Sequence, residues 1–226
     1  MRASNVGKVQ AVRIAPNDLE GLLGVDDTSQ GLIIFAHGSG SGRFSPRNNQ
    51  VAEGLRRAGM ATLLLDLLRP DEEDNRAKVF DIPLLASRLL EATRWARQQA
   101  EIGALPIGYF GASTGAGAAL VAAAHPEVAI AAVVSRGGRP DLAGSALAKV
   151  QAPTLLIVGG LDTTVIELNR EAMAQMHAEK KLVIVPGATH LFEEPGTLDQ
   201  VTKLAADWFV QHLVPAPNST EDDYGI

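Results

Sequence analysis

Hydrophobic and polar positions alternate in two different ways along this chain. Val9, Ala11 and Arg13 stand two apart before Pro16-Asn17, and Leu19, Gly21, Leu23 and Val25 stand two apart after it. This period predicts an antiparallel hairpin. From Leu32 onward the apolar residues come in short unbroken runs: Leu32 to Ala36, Met60 to Leu65, Ile107 to Phe110, Ala129 to Val134, Thr154 to Val158 and Leu182 to Val185. Runs of this kind are strands buried on both faces, as in a parallel sheet covered by helices. The segments between them carry helix signals. Ser45-Pro46 supplies an N-cap followed by proline at the first helical position, and Gly59 closes that helix. Asp81 caps a second helix, in which Ile82, Leu85, Leu89, Ala92 and Trp95 form the apolar face and Glu91, Arg94 and Arg97 point outward. Thr164 with Glu167, and Thr197 with Gln200, have the spacing of capping boxes. Each precedes an apolar stripe, Val165, Leu168, Ala172 and Met176 in one case and Val201, Leu204, Trp208 and His212 in the other.

Strand and helix therefore alternate after an antiparallel start. The predicted fold is α/β: a mostly parallel, doubly wound sheet with an antiparallel N-terminal hairpin, in a single domain over 1–213. Residues 214–226 contain proline, are polar and acidic, and predict a flexible tail. The uncharged stretch Ile102 to Ala124 has the length of a membrane span, but it holds Pro106 and five glycines and owes its apolarity mainly to alanine. It predicts a buried strand feeding a buried helix.

Composition narrows the function. With 26 acidic and 20 basic residues the net charge is -6, so the general attraction to phosphate that drives nucleic-acid binding is missing. The absence of cysteine removes disulfides, thiolate metal sites and a thiol nucleophile. Met1 to Gln10 lacks the apolar run of a signal peptide, so a cytoplasmic protein without membrane contact is expected.

In doubly wound sheets the chemistry gathers at the carboxyl ends of the strands. There Gly111-Ala112-Ser113-Thr114-Gly115 joins the strand Ile107 to Phe110 to an Ala/Gly-rich helix. A G-x-S-x-G turn between strand and helix is a nucleophile elbow, which holds the serine in a strained conformation with its hydroxyl exposed. Serine needs a base, and the base needs an orienting carboxylate. Of the five histidines, His190 lies in a loop just beyond Leu182 to Val185. His125, His177 and His212 sit at helix ends or on helical stripes and have structural explanations. Asp162 follows Thr154 to Val158 through Gly159-Gly160-Leu161. The order Ser113, Asp162, His190 is that of the α/β-hydrolase triad. The strand Leu32 to Ala36 runs into His37-Gly38-Ser39-Gly40-Ser41-Gly42, whose amides are placed to hold an oxyanion. The expected pair is Ser39 and Thr114, with Gly40 the alternative to Ser39. No lysine follows in P-loop spacing, so phosphate binding is the weaker reading of this loop. Arg43, Arg136 and Arg139 lie near strand ends and are candidate pocket residues for an anionic acyl group. Asp71 to Asp74 is expected to be a solvated acidic loop.

HGSGSG at 37–42, GASTG at 111–115, GGLD at 159–162 and GATH at 187–190 resemble the α/β-hydrolases, and especially their small dienelactone-hydrolase-like branch. The resemblance covers about residues 9 to 213. SPRNNQVAEGLRRAG and DLLRPDEE resemble hydrolase modules that are sometimes fused to phosphoribosyltransferases, although no transferase domain is expected in this chain. The resemblance implies a metal-independent mechanism without cofactors, acting on small-molecule esters or lactones through Ser113, Asp162 and His190. Dienelactone hydrolases use cysteine at the elbow, so serine here favours carboxylesterase chemistry. Only Arg136 to Gln151 separates two strands where lipases insert a large lid, and an open site for small esters is expected. The alternatives are an acyltransferase or thioesterase with the same triad, and a noncatalytic binding member of the fold.

Overall fold

A computed structural model describes residues 8–214. The expected tail therefore lies, from residue 215 onward, outside the described residues. The strands are β1 (Val9–Ile14), β2 (Leu19–Gly24), β3 (Gly31–Ala36), β4 (Met60–Leu65), β5 (Ile107–Ala112), β6 (Ala132–Arg136), β7 (Thr154–Gly159) and β8 (Lys180–Val185). They form one sheet in the order β1-β2-β4-β3-β5-β6-β7-β8. β1 and β2 make the predicted hairpin, with Val9 opposite Gly24 and Ile14 opposite Leu19. β2 pairs antiparallel with β4, and the sheet is parallel from β4 through β8. This is the doubly wound arrangement read from the apolar runs. The run at Ala129 is displaced, however: the strand begins at Ala132 and continues to Arg136, past the apolar residues.

The helices are α1 (Pro46–Arg57), α2 (Pro70–Glu73), α3 (Arg76–Val79), α4 (Ile82–Arg97), α5 (Thr114–Ala123), α6 (Thr163–Gln175) and α7 (Thr197–Leu213), and 3₁₀ turns span Pro140–Lys149. Alternation along each strand feeds two cores. Ile33, Phe35, Phe110 and Val134 pack with Val51 and Leu55 of α1 and Val201 and Phe209 of α7. Leu32, Ile34, Tyr109 and Val133 pack with Leu85 and Leu89 of α4 and Leu120 of α5. The uncharged stretch from Ile102 becomes β5 and α5, as expected. No helix among the described residues is long and apolar enough to cross a membrane.

Two helix starts follow the sequence: Ser45 Oγ accepts from Asn48 N–H, and Asp81 Oδ1 accepts from Leu84 N–H. Gly59, at φ 86°, closes α1. The two capping boxes do not form. α6 starts behind Asp162 and α7 behind Gly196, so Thr164 and Thr197 are already helical, and Thr197 Oγ1 donates backwards to Glu194 O. Two acids expected in water are buried instead. Glu91 accepts from the backbone and side-chain amides of Asn17, because the β1–β2 turn covers that part of α4. Glu72, in the segment expected to be a solvated loop, is on α2 and meets Lys78 at 2.9 Å and Arg88 at 3.3 Å. Burial raises its carboxyl, but Lys78, the Arg69 amide and Arg88 outweigh burial and hold it below the ordinary carboxylate range.

Candidate active site

The elbow is visible in the backbone. Ser113 joins β5 to α5 at φ 49°, ψ -124°, a region that side chains avoid. It stands where a serine would cap the helix, yet its hydroxyl caps nothing. The conformation is held from two sides: Ser113 N–H donates to Arg136 O at 3.3 Å, and Ser113 O accepts from Arg139 N–H at 3.0 Å. Gly115 is required by a close approach. A Cβ there would stand 2.1 Å from Ala36 O and 2.5 Å from His37 O, so the elbow and the loop after β3 share one backbone crossing. Gly38 in that loop lies against Ser113, its would-be Cβ 2.9 Å from Ser113 Cβ.

Asp162 and His190 come from the ends of β7 and β8. His190 Nδ1–H donates to Asp162 Oδ2 at 2.6 Å. Asp162 occupies the N-cap of α6, but its carboxylate caps no helical amide and is turned to the imidazole instead. The contact fixes the tautomer and leaves Nε2 as the basic atom. Gly137 connects this pair to the elbow: it follows Arg136, whose carbonyl holds Ser113, and a side chain on it would stand 3.6 Å from His190 Cε1. The structure thus gathers Ser113, Asp162 and His190 at one edge of the sheet, although Ser113 Oγ and His190 are not hydrogen-bonded to each other.

The oxyanion loop differs in detail from expectation. Ser39 N–H donates to Thr114 Oγ1 at 3.1 Å, so that amide already has an acceptor. The loop is braced by His37, which the sequence reading left unassigned. Its Nε2 accepts from Leu67 N–H at 3.0 Å and its Nδ1–H donates to Gly38 O at 2.9 Å. Burial lowers its pKa, against the bond to Gly38 and the charges of Asp66 and Glu73, and both nitrogens are used by the neutral ring. The signal was present in the histidine that follows β3, but its partner Leu67 follows β4 and meets it only in the fold. A cleft of about 760 Å³ opens from this loop, bordered by Ser39, Arg43, Phe44, Leu68, Asp74 and Val79.

The three candidate arginines separate clearly. Arg43 is bonded to both Asp66 and Glu20. Arg139 is held by Asp141 in a two-bond contact, Nε at 2.9 Å and Nη2 at 2.7 Å. Their charges are already paired within the protein, unlike the free cations expected to meet an anionic group. Arg136 is 7% exposed and, among the described residues, has no carboxylate partner; Nη2 lies 3.4 Å from Asn48 Oδ1, and Nε is enclosed with no partner among them. Burial and the charge of Arg47 lower its pKa to about 10. His125 and His212 have structural surroundings, the first at the Glu127 amide and the second packed at a tilt against Trp208, with ring centroids 4.4 Å apart. Among the described residues no cluster of three or more His, Asp or Glu is arranged to hold a metal ion.

Residues 26–213 match the model of the dienelactone hydrolase family. The chain is similar to a dienelactone hydrolase from Anabaena variabilis, with 54% identity and a TM-score of 0.88 over 91% of this chain and 98% of that one. It is 61% identical over 212 residues to a protein of Mycobacterium tuberculosis strain H37Rv named as a phosphoribosyl transferase. That match takes in 93% of this chain but 48% of the relative, so the chain spans about half its length. Est1E from Butyrivibrio proteoclasticus, at 19% identity, shares the fold with a TM-score of 0.74 over 89% of this chain and 98% of that one.

Proposed function

The chain belongs to the dienelactone hydrolase family, and from that premise we propose that it is a serine hydrolase of small carboxylic esters, lactones included. The observation that carries this reading is the 2.6 Å contact of Asp162 with His190 beside an elbow serine whose hydroxyl caps nothing. In the reaction His190 Nε2 takes the Ser113 proton as Oγ attacks the ester carbonyl. Asp162 stabilises the imidazolium, and donors at the elbow hold the oxyanion. The imidazolium then protonates the departing alcohol. Water, activated by the same imidazole, releases the acid from Ser113. The mycobacterial relative's name describes another reaction; in this reading the half shared with it carries hydrolase chemistry.

Hydrolysis of p-nitrophenyl acetate, butyrate and octanoate by wild type and Ser113→Ala tests the proposal. Turnover of the short esters and a loss of at least about 1000-fold in the variant are expected. Equal, slow rates in both proteins would remove Ser113 from the chemistry. An acyltransferase would instead divert product to an added alcohol, and a binding protein would leave Ser113 unlabelled by a fluorophosphonate.

A further inference from the structure

Thr114 carries a hydroxyl at a position where the elbow needs only a backbone amide. It is the first residue of α5, 5% exposed, and its Oγ1 accepts the Ser39 amide at 3.1 Å. A hydroxyl that accepts with a lone pair still has a proton to donate. Among the described residues no acceptor takes the Thr114 Oγ1 proton. The Thr114 amide, at the first turn of the helix, likewise has no intrahelical acceptor. Two uncommitted donors therefore stand on the residue after Ser113, beside the loop in which a side chain on Gly38 would run into Ser113 Cβ. The Ser39 amide is spent on that hydroxyl.

We propose that the Thr114 side chain is a catalytic donor of the oxyanion hole: Ser39 N–H polarises Oγ1, and Oγ1–H together with Thr114 N–H holds the developing oxyanion. Hydrogen bonds in series strengthen one another, most of all away from water. The loop after β3 then acts through the threonine, and the two amides expected to flank the oxyanion are replaced by one amide and one hydroxyl. This role rests on ester hydrolysis at Ser113. The opposite arrangement, in which the hydroxyl plugs the hole and has to be displaced, predicts the opposite sign on removing it.

The experiment compares wild type with Thr114→Val, Thr114→Ala and Thr114→Ser, measuring kcat and KM for p-nitrophenyl acetate and inhibition by a trifluoromethyl ketone that forms a hemiketal oxyanion on Ser113. Loss of one such donor typically slows turnover by about 100-fold, and a fall of that order in kcat is expected for Val and Ala. KM should stay within about twofold, since the bond forms in the transition state. The ketone should weaken in parallel with kcat, while the Ser variant keeps both values near wild type. Val and Ala variants as fast as wild type, or faster, with undiminished ketone affinity, would overturn the role of Thr114 and leave the hydrolase reading standing. A wild type that neither cleaves esters nor reacts with a fluorophosphonate would overturn that reading, and the role of Thr114 with it.

Discussion

Taking a guanidinium out of water costs several kcal/mol unless an anion accompanies it. Arg43 and Arg139 meet this condition with their own carboxylates, and Arg136 finds none among the described residues. Its charge is opposed by Arg47, and it faces Asn48 near the positive end of α1. Its carbonyl holds Ser113 N–H, so it stands one backbone step from the nucleophile. A carboxylate brought in by a substrate would supply the anion that the described residues do not. Arg136→Met and Arg136→Gln should raise KM by about tenfold for a p-nitrophenyl half-ester of a dicarboxylic acid, the size of effect that one charged hydrogen bond contributes. KM for the neutral butyrate should change little. Equal changes for both esters would reduce Arg136 to a residue of the scaffold.

The loops that carry Asp162 and His190 are built on each other at the ends of β7 and β8. Gly160 N–H donates to Val185 O at 2.8 Å and Leu161 N–H to Ala188 O at 2.9 Å. Gly159 makes this possible, since a Cβ there would stand 2.4 Å from Ala188 O and 2.5 Å from Thr189 O. Gly159→Ala should push the His190 loop off the Asp162 loop. A stability loss of roughly 1–3 kcal/mol is expected from the overpacking, read in urea melts. A kcat lowered more than tenfold should accompany it, as a 1 Å misplacement commonly costs about 100-fold; a destabilised protein with unchanged kcat would show that the two loops are aligned by other contacts. β7 was legible because a buried parallel strand is an unbroken apolar run, whereas β8, the exposed edge strand, showed only the shorter run Leu182 to Val185; the turns after both contain glycine. The capping boxes at Thr164 and Thr197 misled because the spacing says nothing of tertiary partners, and the cap of α6 went to Asp162, whose carboxylate serves His190. Burial of Glu72 and Glu91 was illegible for the same reason: Lys78 and Arg88 for one, and Asn17 for the other, meet them only once the chain is folded.

At the scale of the molecule, apolar surface is unevenly spread. Among the described residues eight large apolar side chains are exposed, and Phe44, Phe80, Leu142, Leu161 and Leu191 lie in segments that follow strands β3, β4, β6, β7 and β8. Leu161 and Leu191 are the sequence neighbours of Asp162 and His190. Exposed apolar groups next to Asp162 and His190 would bury the acyl or alcohol carbons of an ester bound there. Enclosure is another matter. Between β6 and β7 the chain forms only the short 3₁₀ turns at Pro140–Lys149, kinked at Gly144, and these do not make a lid. Each methylene that reaches the rim is worth about 0.8 kcal/mol when buried, and a methylene that passes it stays in water and gains nothing. Across p-nitrophenyl acetate, butyrate, hexanoate, octanoate and laurate, kcat/KM should therefore rise over the first members and then level or fall. Leu161→Ser and Leu191→Ser should flatten the rise while leaving acetate nearly unchanged. A rate that climbs steadily to laurate, or that jumps when the ester forms micelles, would require a closed acyl channel or an interfacial lid, which this arrangement of elements does not provide.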